Sequence, residues 1–193
     1  MYRGVTLFAM EKGMIEEDVI DETALEAALP SLELHFEHSP QGTNLFWGSR
    51  CIEKEIRTME VSAYVSPISA LPFVRAWVDE LLHLFSKGGR VVMDGRDIGT
   101  SVFPNAELKI FLTASPKVRV KRRYDELISK GQKTSYEEVV KNLSERDYID
   151  SHRSVSPLRK AEDAFVLDNS DMTLHEEIIW LRGLIQGRFG IFE

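Results

Sequence analysis

In "LELHFEH", apolar Leu32, Leu34 and Phe36 alternate with polar neighbours, and "NLFWG" follows after an "SPQGT" turn. A period of two predicts a hairpin with one wet face, a small antiparallel excursion. On either side the pattern changes to helices. "MYRGVTLFAMEKG" reads as a helix closed by Gly13, and "DETALEAAL" as a short helix capped by Asp21 and stopped at Pro30. After "EIRTMEVSAYVS" a turn is expected at Pro67. A helix follows in "LPFVRAWVDELLHLFSKGG", with Pro72 in its first turn and paired glycines at its end. Beyond it the order is strand (90–93), loop, strand (106–114), helix (116–130), helix (135–152), strand (164–167) and helix (173–186). Strands that are apolar throughout and alternate with helices predict an α/β fold, its parallel sheet covered on both faces. Ligands of such sheets sit beyond the carboxyl ends of the strands, where "DGRD", 94–97, is found.

Length and composition narrow the class. With 193 residues, 43% hydrophobic and 28% charged, the chain suits one globular domain with a real core. A lone Cys51 has no disulfide partner within the chain, which favours a reducing, cytoplasmic setting. No apolar run approaches the roughly 20 residues of a membrane span. A net charge of −7 argues against sequence-blind nucleic-acid binding, so an anionic ligand has to be held by a local concentration of arginine.

That concentration exists. Five of the seven residues from Lys117 to Arg123 are basic. Arg119, Arg122 and Arg123 stand at i, i+3 and i+4 on one helical face, while Val120, Tyr124 and Leu127 share another. In "SERDYIDSHRSVSPL", Arg146, Asp150 and Arg153 stand at i, i+4 and i+7. Three readings fit: a solvated face with helical ion pairs, an arginine-lined lid over phosphates, or a short nucleic-acid patch. Phosphoryl transfer suits the inventory best, because it demands alignment and neutralisation of spreading charge but no side-chain nucleophile. Neither a G-x-S-x-G elbow nor HExxH spacing is present, and the five histidines are scattered.

Seven motifs in order, "MYRGVTL", "EIRTMEVS", "VSPISALPFVR", "DGRDIGTSVFPNAELKIFLTAS", "RVKRRYDEL", "RDYIDSHRSVSPL" and "AFVLDNS", resemble bacterial cytidylate kinases over essentially the whole chain. The resemblance implies a P-loop nucleoside-monophosphate-kinase fold: a single domain with core at 1–14 and 61–193, a CMP-binding insert at 15–60, and an arginine-rich lid within about 116–153. It implies ATP with Mg²⁺ as phosphate donor, CMP or dCMP as acceptor, no nucleic-acid or membrane partner, and a monomer. Ser66, Arg75 and Asp97 would surround the cytosine edge. Arg3, Arg96 and Arg153 would bind the CMP phosphate, Arg146 and Asp150 would meet the ribose, and Arg119, Arg122 and Arg123 would serve the transferring phosphoryl group. Several of these have plain structural alternatives: Arg96 and Asp97 as a mutual ion pair, Ser66 as a helix cap or turn residue, and Asp94 as a magnesium or loop organiser or else a backbone cap.

One departure stands out. None of the twelve glycines begins G-x-x-x-x-G-K-[ST], the loop whose amides cradle ATP phosphates. The family carries that loop shortly before "MYR", so roughly 30 to 40 residues of strand, loop and helix, one interior strand included, are expected to be missing. The chain as it stands is therefore expected to be inactive, either as part of a complete kinase or as a CMP-binding remnant without chemistry.

Overall fold

The structure is a computed structural model that describes residues 1–40 and 42–191. Helix α1 (Tyr2–Glu11) ends as expected, with Gly13 in the left-handed region at φ 66°. Short strands β1 (Ile15–Glu16) and β2 (Val19–Ile20) pair antiparallel, and α2 (Glu22–Ala28) starts where the Asp21 carboxylate accepts from the Ala24 amide. The alternating stretch forms the predicted hairpin, β3 (Leu34–Ser39) on β4 (Gly42–Trp47), joined at its far edge by β5 (Arg50–Cys51). Position 41, inside the expected turn, lies outside the described residues.

Register explains why α1 seats here. Leu34 pairs with Trp47 and Phe36 with Leu45, which sends the apolar side chains to one face. Gly4 meets that face so closely that a Cβ would fall 2.8 Å from Leu34 Cδ1 and 3.0 Å from Leu45 Cδ2. Val5, Phe8, Leu25, Leu45, Ile52, Val61, Ile68, Val74 and Val78 close the main core, with Phe8 edge-on to Trp47 at 5.2 Å.

Helices α3 (Met59–Ala70) and α4 (Pro72–Ser86) follow. Here the expectation of a turn at Pro67 is corrected: the helix runs through it, and the chain turns only at Leu71, just before Pro72. The residue before a proline is driven out of helical geometry, and Leu71 takes ψ 123° accordingly. A π-type turn (Ile98–Val102) precedes β6 (Ile110–Thr113), then α5 (Pro116–Ser129), α6 (Tyr136–His152), β7 (Phe165–Asp168) and α7 (Leu174–Phe189). Helices α5 and α6 share a second core of Val120, Leu127 and Val139.

Two expectations about the sheet are also corrected. Strands β6 and β7 are parallel, as predicted, from Ile110 opposite Phe165 to Thr113 opposite Asp168, but they form a pair rather than a broad sheet. Residues 90–93 form no strand: Arg90 sits at φ 56° and Val92 is fully exposed. A strand needs a neighbour to take its backbone donors and acceptors, and none lies beside this one among the described residues. The sheet is likewise not covered on both faces, since Leu112, Phe165 and Val166 are exposed and α7 buries no residue.

Candidate active site

The site is assembled where α3 and α6 cross beside the loop after residue 94. Serines recur along α3 at Ser62, Ser66 and Ser69, spaced i, i+4 and i+7, so one polar stripe runs down a buried face. Facing it, α6 presents Arg146, Asp150 and Arg153 at the same spacing. Arg146 Nη1 donates to Ser62 Oγ at 3.2 Å, and Ser62 Oγ donates to Asn142 Oδ1 at 2.9 Å. Arg153 Nη1 donates to Ser69 Oγ at 3.1 Å, and its Nε donates to the Ser156 carbonyl at 2.8 Å. Ser66 is buried mid-helix, so it is neither cap nor turn residue.

The loop after the unformed strand brings Arg96 and Asp97 to this face, with Asp97 opening the π-type turn; such turns recur at functional sites. The two side chains turn to different partners. Arg75, only 2% exposed on α4, donates from Nη2 to Asp97 and from Nη1 to the Ser69 carbonyl at 3.1 Å. Arg153 Nη2 lies 3.2 Å from the other Asp97 oxygen. Arg96 instead meets Asp147 Oδ1 at 3.0 Å, and its Nε lies 2.7 Å from Asp150 Oδ2 without the alignment of a hydrogen bond. The alternative of a mutual Arg96–Asp97 ion pair is not what forms. Asp147 continues the chain of charges with its second oxygen, 2.7 Å from Arg119 Nη1 on α5.

Electrostatics make the cluster an anion site in waiting. Arg3 donates from Nη1 to the Ile56 carbonyl at 2.8 Å, and burial first, then Arg146, Arg123 and Arg57, lower its pKa to about 10. Arg146 is likewise lowered to about 10, by burial and then by Arg96. Burial, followed by Arg75, lowers Arg153. Six guanidinium groups (Arg3, Arg75, Arg96, Arg119, Arg146 and Arg153) thus meet three carboxylates, Asp97, Asp147 and Asp150. Arg146 Nε has no hydrogen-bond partner among the described residues. A surplus of buried positive charge with an open donor suits an oxyanion ligand, and guanidinium forks match phosphate oxygens.

The basic run on α5 divides. Arg119 joins the cluster, and Arg123, which pairs with Glu126 at 2.8 Å and donates to the Arg57 carbonyl at 3.1 Å, faces Arg3 and Arg146. Arg122 turns the other way. Its Nη1 and Nη2 bind the Asn169 side chain at 2.9 Å and carbonyl at 2.7 Å, after β7. Lys121 alone fits the solvated-face reading, in an exposed pair with Asp125 at 2.6 Å. Asp94 is exposed, and no backbone amide among the described residues bonds it. Sequence reasoning missed Ser62, Ser69 and Asp147; the serine spacing in "VSAYVSPIS" was the readable signal for the first two.

Over residues 1–181 the chain matches the profile of the family described as cytidylate kinase. The chain belongs to the cytidylate kinase family. It is 49% identical over 183 residues to the cytidylate kinase of Bacteroides thetaiotaomicron and 51% identical over 183 residues to that of Phocaeicola vulgatus, covering 94% of this chain and 80% of each relative. The cytidylate kinase of Flavobacterium psychrophilum is 46% identical over 179 residues, 92% of this chain and 79% of the relative. Members of this family are nucleoside-monophosphate kinases, so an arginine-rich cleft facing a polar helix is the feature on which a phosphorylated acceptor would act.

Proposed function

We propose that this chain carries the acceptor half of a cytidylate kinase, which transfers a phosphoryl group from ATP to CMP or dCMP in the cytoplasm and acts as a monomer. The observation that carries the reading is the buried surplus of arginine at Arg3, Arg96, Arg146 and Arg153, centred on the α3–α6 face. Arg3, Arg96 and Arg153 hold the acceptor phosphate, Arg146 and Asp150 the ribose, and Ser66, Arg75 and Asp97 the base edge. Cytosine offers an amino donor and a ring acceptor side by side, and a carboxylate beside a guanidinium answers both. Residues 15–60 form the nucleotide-monophosphate insert and α5 with α6 the lid. Arg119 and Arg123 then face the phosphoryl group in transfer, where preorganised positive charge lowers the barrier. Arg122 serves the same step by fixing the start of α7 through Asn169.

The donor side is read differently. No G-x-x-x-x-G-K-[ST] run occurs in these 193 residues, and we assign the ATP phosphate cradle to a segment outside them. The uncovered apolar residues of β6 and β7, and the unpaired stretch at 90–93, support that assignment. Among the described residues no group of three or more His, Cys, Asp or Glu could hold a metal ion, so magnesium enters with ATP as part of the substrate.

Calorimetry on the 193-residue chain tests the acceptor reading: CMP binds, and Arg146→Ala weakens it about 10- to 100-fold, the weight of one charge-assisted bond. No binding of CMP by the folded chain refutes it. In a coupled assay the same chain is expected to show no appreciable CMP phosphorylation. Turnover at rates usual for kinases, roughly 1 to 100 per second, would overturn the assignment of the ATP cradle to an outside segment.

A further inference from the structure

Three buried polar atoms around Arg75 lack a hydrogen-bond partner among the described residues: Arg75 Nε, the Tyr2 hydroxyl and Asp79 Oδ1. Buried polar groups are nearly always satisfied, so three together at one arginine mark a functional arrangement rather than a packing accident. They belong to neighbours. Asp79 stands one turn beyond Arg75 on α4, at i+4, where the two side chains share a face. Tyr2, in the first turn of α1, lays its ring 5.3 Å from the Arg75 guanidinium carbon. Burial is the largest influence on Asp79 and raises its pKa; Arg75 is the next and lowers it, followed by Asp97, His83 and the Tyr2 hydroxyl. Burial also raises the Tyr2 pKa, Arg75 opposes it, and Asp79 adds to the rise.

The remaining donors of Arg75 are committed, Nη1 to the Ser69 carbonyl at 3.1 Å and Nη2 to Asp97. Only the Nε edge is left to fix how the guanidinium is rotated. The geometry points to Asp79 as a positioning residue that holds this edge of Arg75, with the Tyr2 ring beneath, and so sets the preference of the acceptor site for cytosine over uracil. The inference rests on the reading of Arg75 and Asp97 as the pair that meets the base.

The chemistry makes rotation decisive. Cytosine presents an amino donor at C4 and an acceptor at N3, whereas uracil presents an acceptor at C4 and a donor at N3. A fixed Asp97–Arg75 pair therefore satisfies cytosine and sets acceptor against acceptor and donor against donor for uracil. An arginine free to turn could swing an N–H towards the uracil C4 oxygen, and the discrimination would shrink. Asp79 does not touch the nucleotide in this scheme; it acts through Arg75.

The test is the ratio of CMP to UMP affinity, measured by calorimetry on the full chain with melting temperatures taken in parallel. The unsubstituted chain prefers CMP. Asp79→Ala should lower the ratio about 10-fold, through weaker CMP and stronger UMP binding, because one charge-assisted bond is redistributed. Asp79→Asn keeps an acceptor oxygen and loses the charge, and should fall between, at roughly threefold. A purely structural residue would lower the melting temperature and leave the ratio alone. An unchanged ratio in Asp79→Ala, or in Asp79→Asn if the alanine variant does not fold, overturns the role of Asp79 while leaving the base reading intact. Equal affinity of the unsubstituted chain for CMP and UMP overturns the base reading itself, and Asp79 with it.

Discussion

Ser62, Ser66 and Ser69 on α3 meet Arg146, Asp150 and Arg153 on α6 across a buried face closed by the chain's own side chains, whereas Leu112, Phe165 and Val166 on β6 and β7 stand exposed. Both regions derive from a sequence that resembles the same family, yet one is locally complete and the other is not. The difference follows from what can substitute for a partner. In the polar cluster, Asp97, Asp147 and Asp150 supply the negative charge that a bound anion would otherwise bring. An apolar strand has no such stand-in: each Å² left in water forgoes about 25 cal/mol, and unpaired backbone finds only solvent. Polar sites thus preorganise within one segment of chain, while a parallel sheet requires all of its strands.

Removing a carboxylate from the cluster should produce the largest effect. Asp97→Ala leaves Arg75 and Arg153 buried without their shared partner, and breaking a buried pair from one side costs about 3–5 kcal/mol. Urea unfolding measures this; a loss below about 1 kcal/mol would show that the pair carries no weight, and that the cluster is less closed than the comparison claims.

Next in size, paired apolar substitutions sharpen the same contrast. Leu45→Ala, at 1% exposure beneath α1, should cost about 2–5 kcal/mol. Leu112→Glu, at 57% exposure, should change the stability of this chain by no more than about 0.5 kcal/mol. A loss above about 2 kcal/mol at Leu112 would mean that the sheet face is covered in solution, and the two regions would no longer differ in kind.

How much of this was legible depends on the range of the interactions involved. The hairpin, the helix caps at Asp21, Ser135 and Thr173, and the face shared by Arg146, Asp150 and Arg153 are set by neighbours within a few residues, and the sequence states them directly. Pro67 misled because tertiary packing of α3 against α1 and α6 overrides a local breaking signal. The strand expected at 90–93 depends on a partner distant in sequence, which no local pattern can guarantee. In the site, residue types and spacing indicated which arginines matter, but not that Arg122 would turn to Asn169 while Arg119 turned to Asp147. Those choices are made by which helix packs opposite.

The smallest expected effect concerns pH, and it separates the charge of the site from the charge of its ligand. Arg3 and Arg146 have pKa values lowered from 12.5 to about 10, because burial disfavours their charged form. With the folded value below the unfolded one, their charge destabilises the fold at neutral pH, and this penalty is relieved only as pH climbs through about 10 towards 12.5. At pH 7 to 9 both remain charged, and a phosphate monoester, with its second pKa near about 6, is already a dianion. CMP affinity should therefore be flat from pH 7 to 9 and fall above it, by about twofold for each arginine once the pH reaches its free value. Calorimetry across that range decides the matter. A decline already under way at pH 8 would mean that a group other than these two arginines governs anion binding, and the α3–α6 face would lose its claim to be the closed half of the molecule.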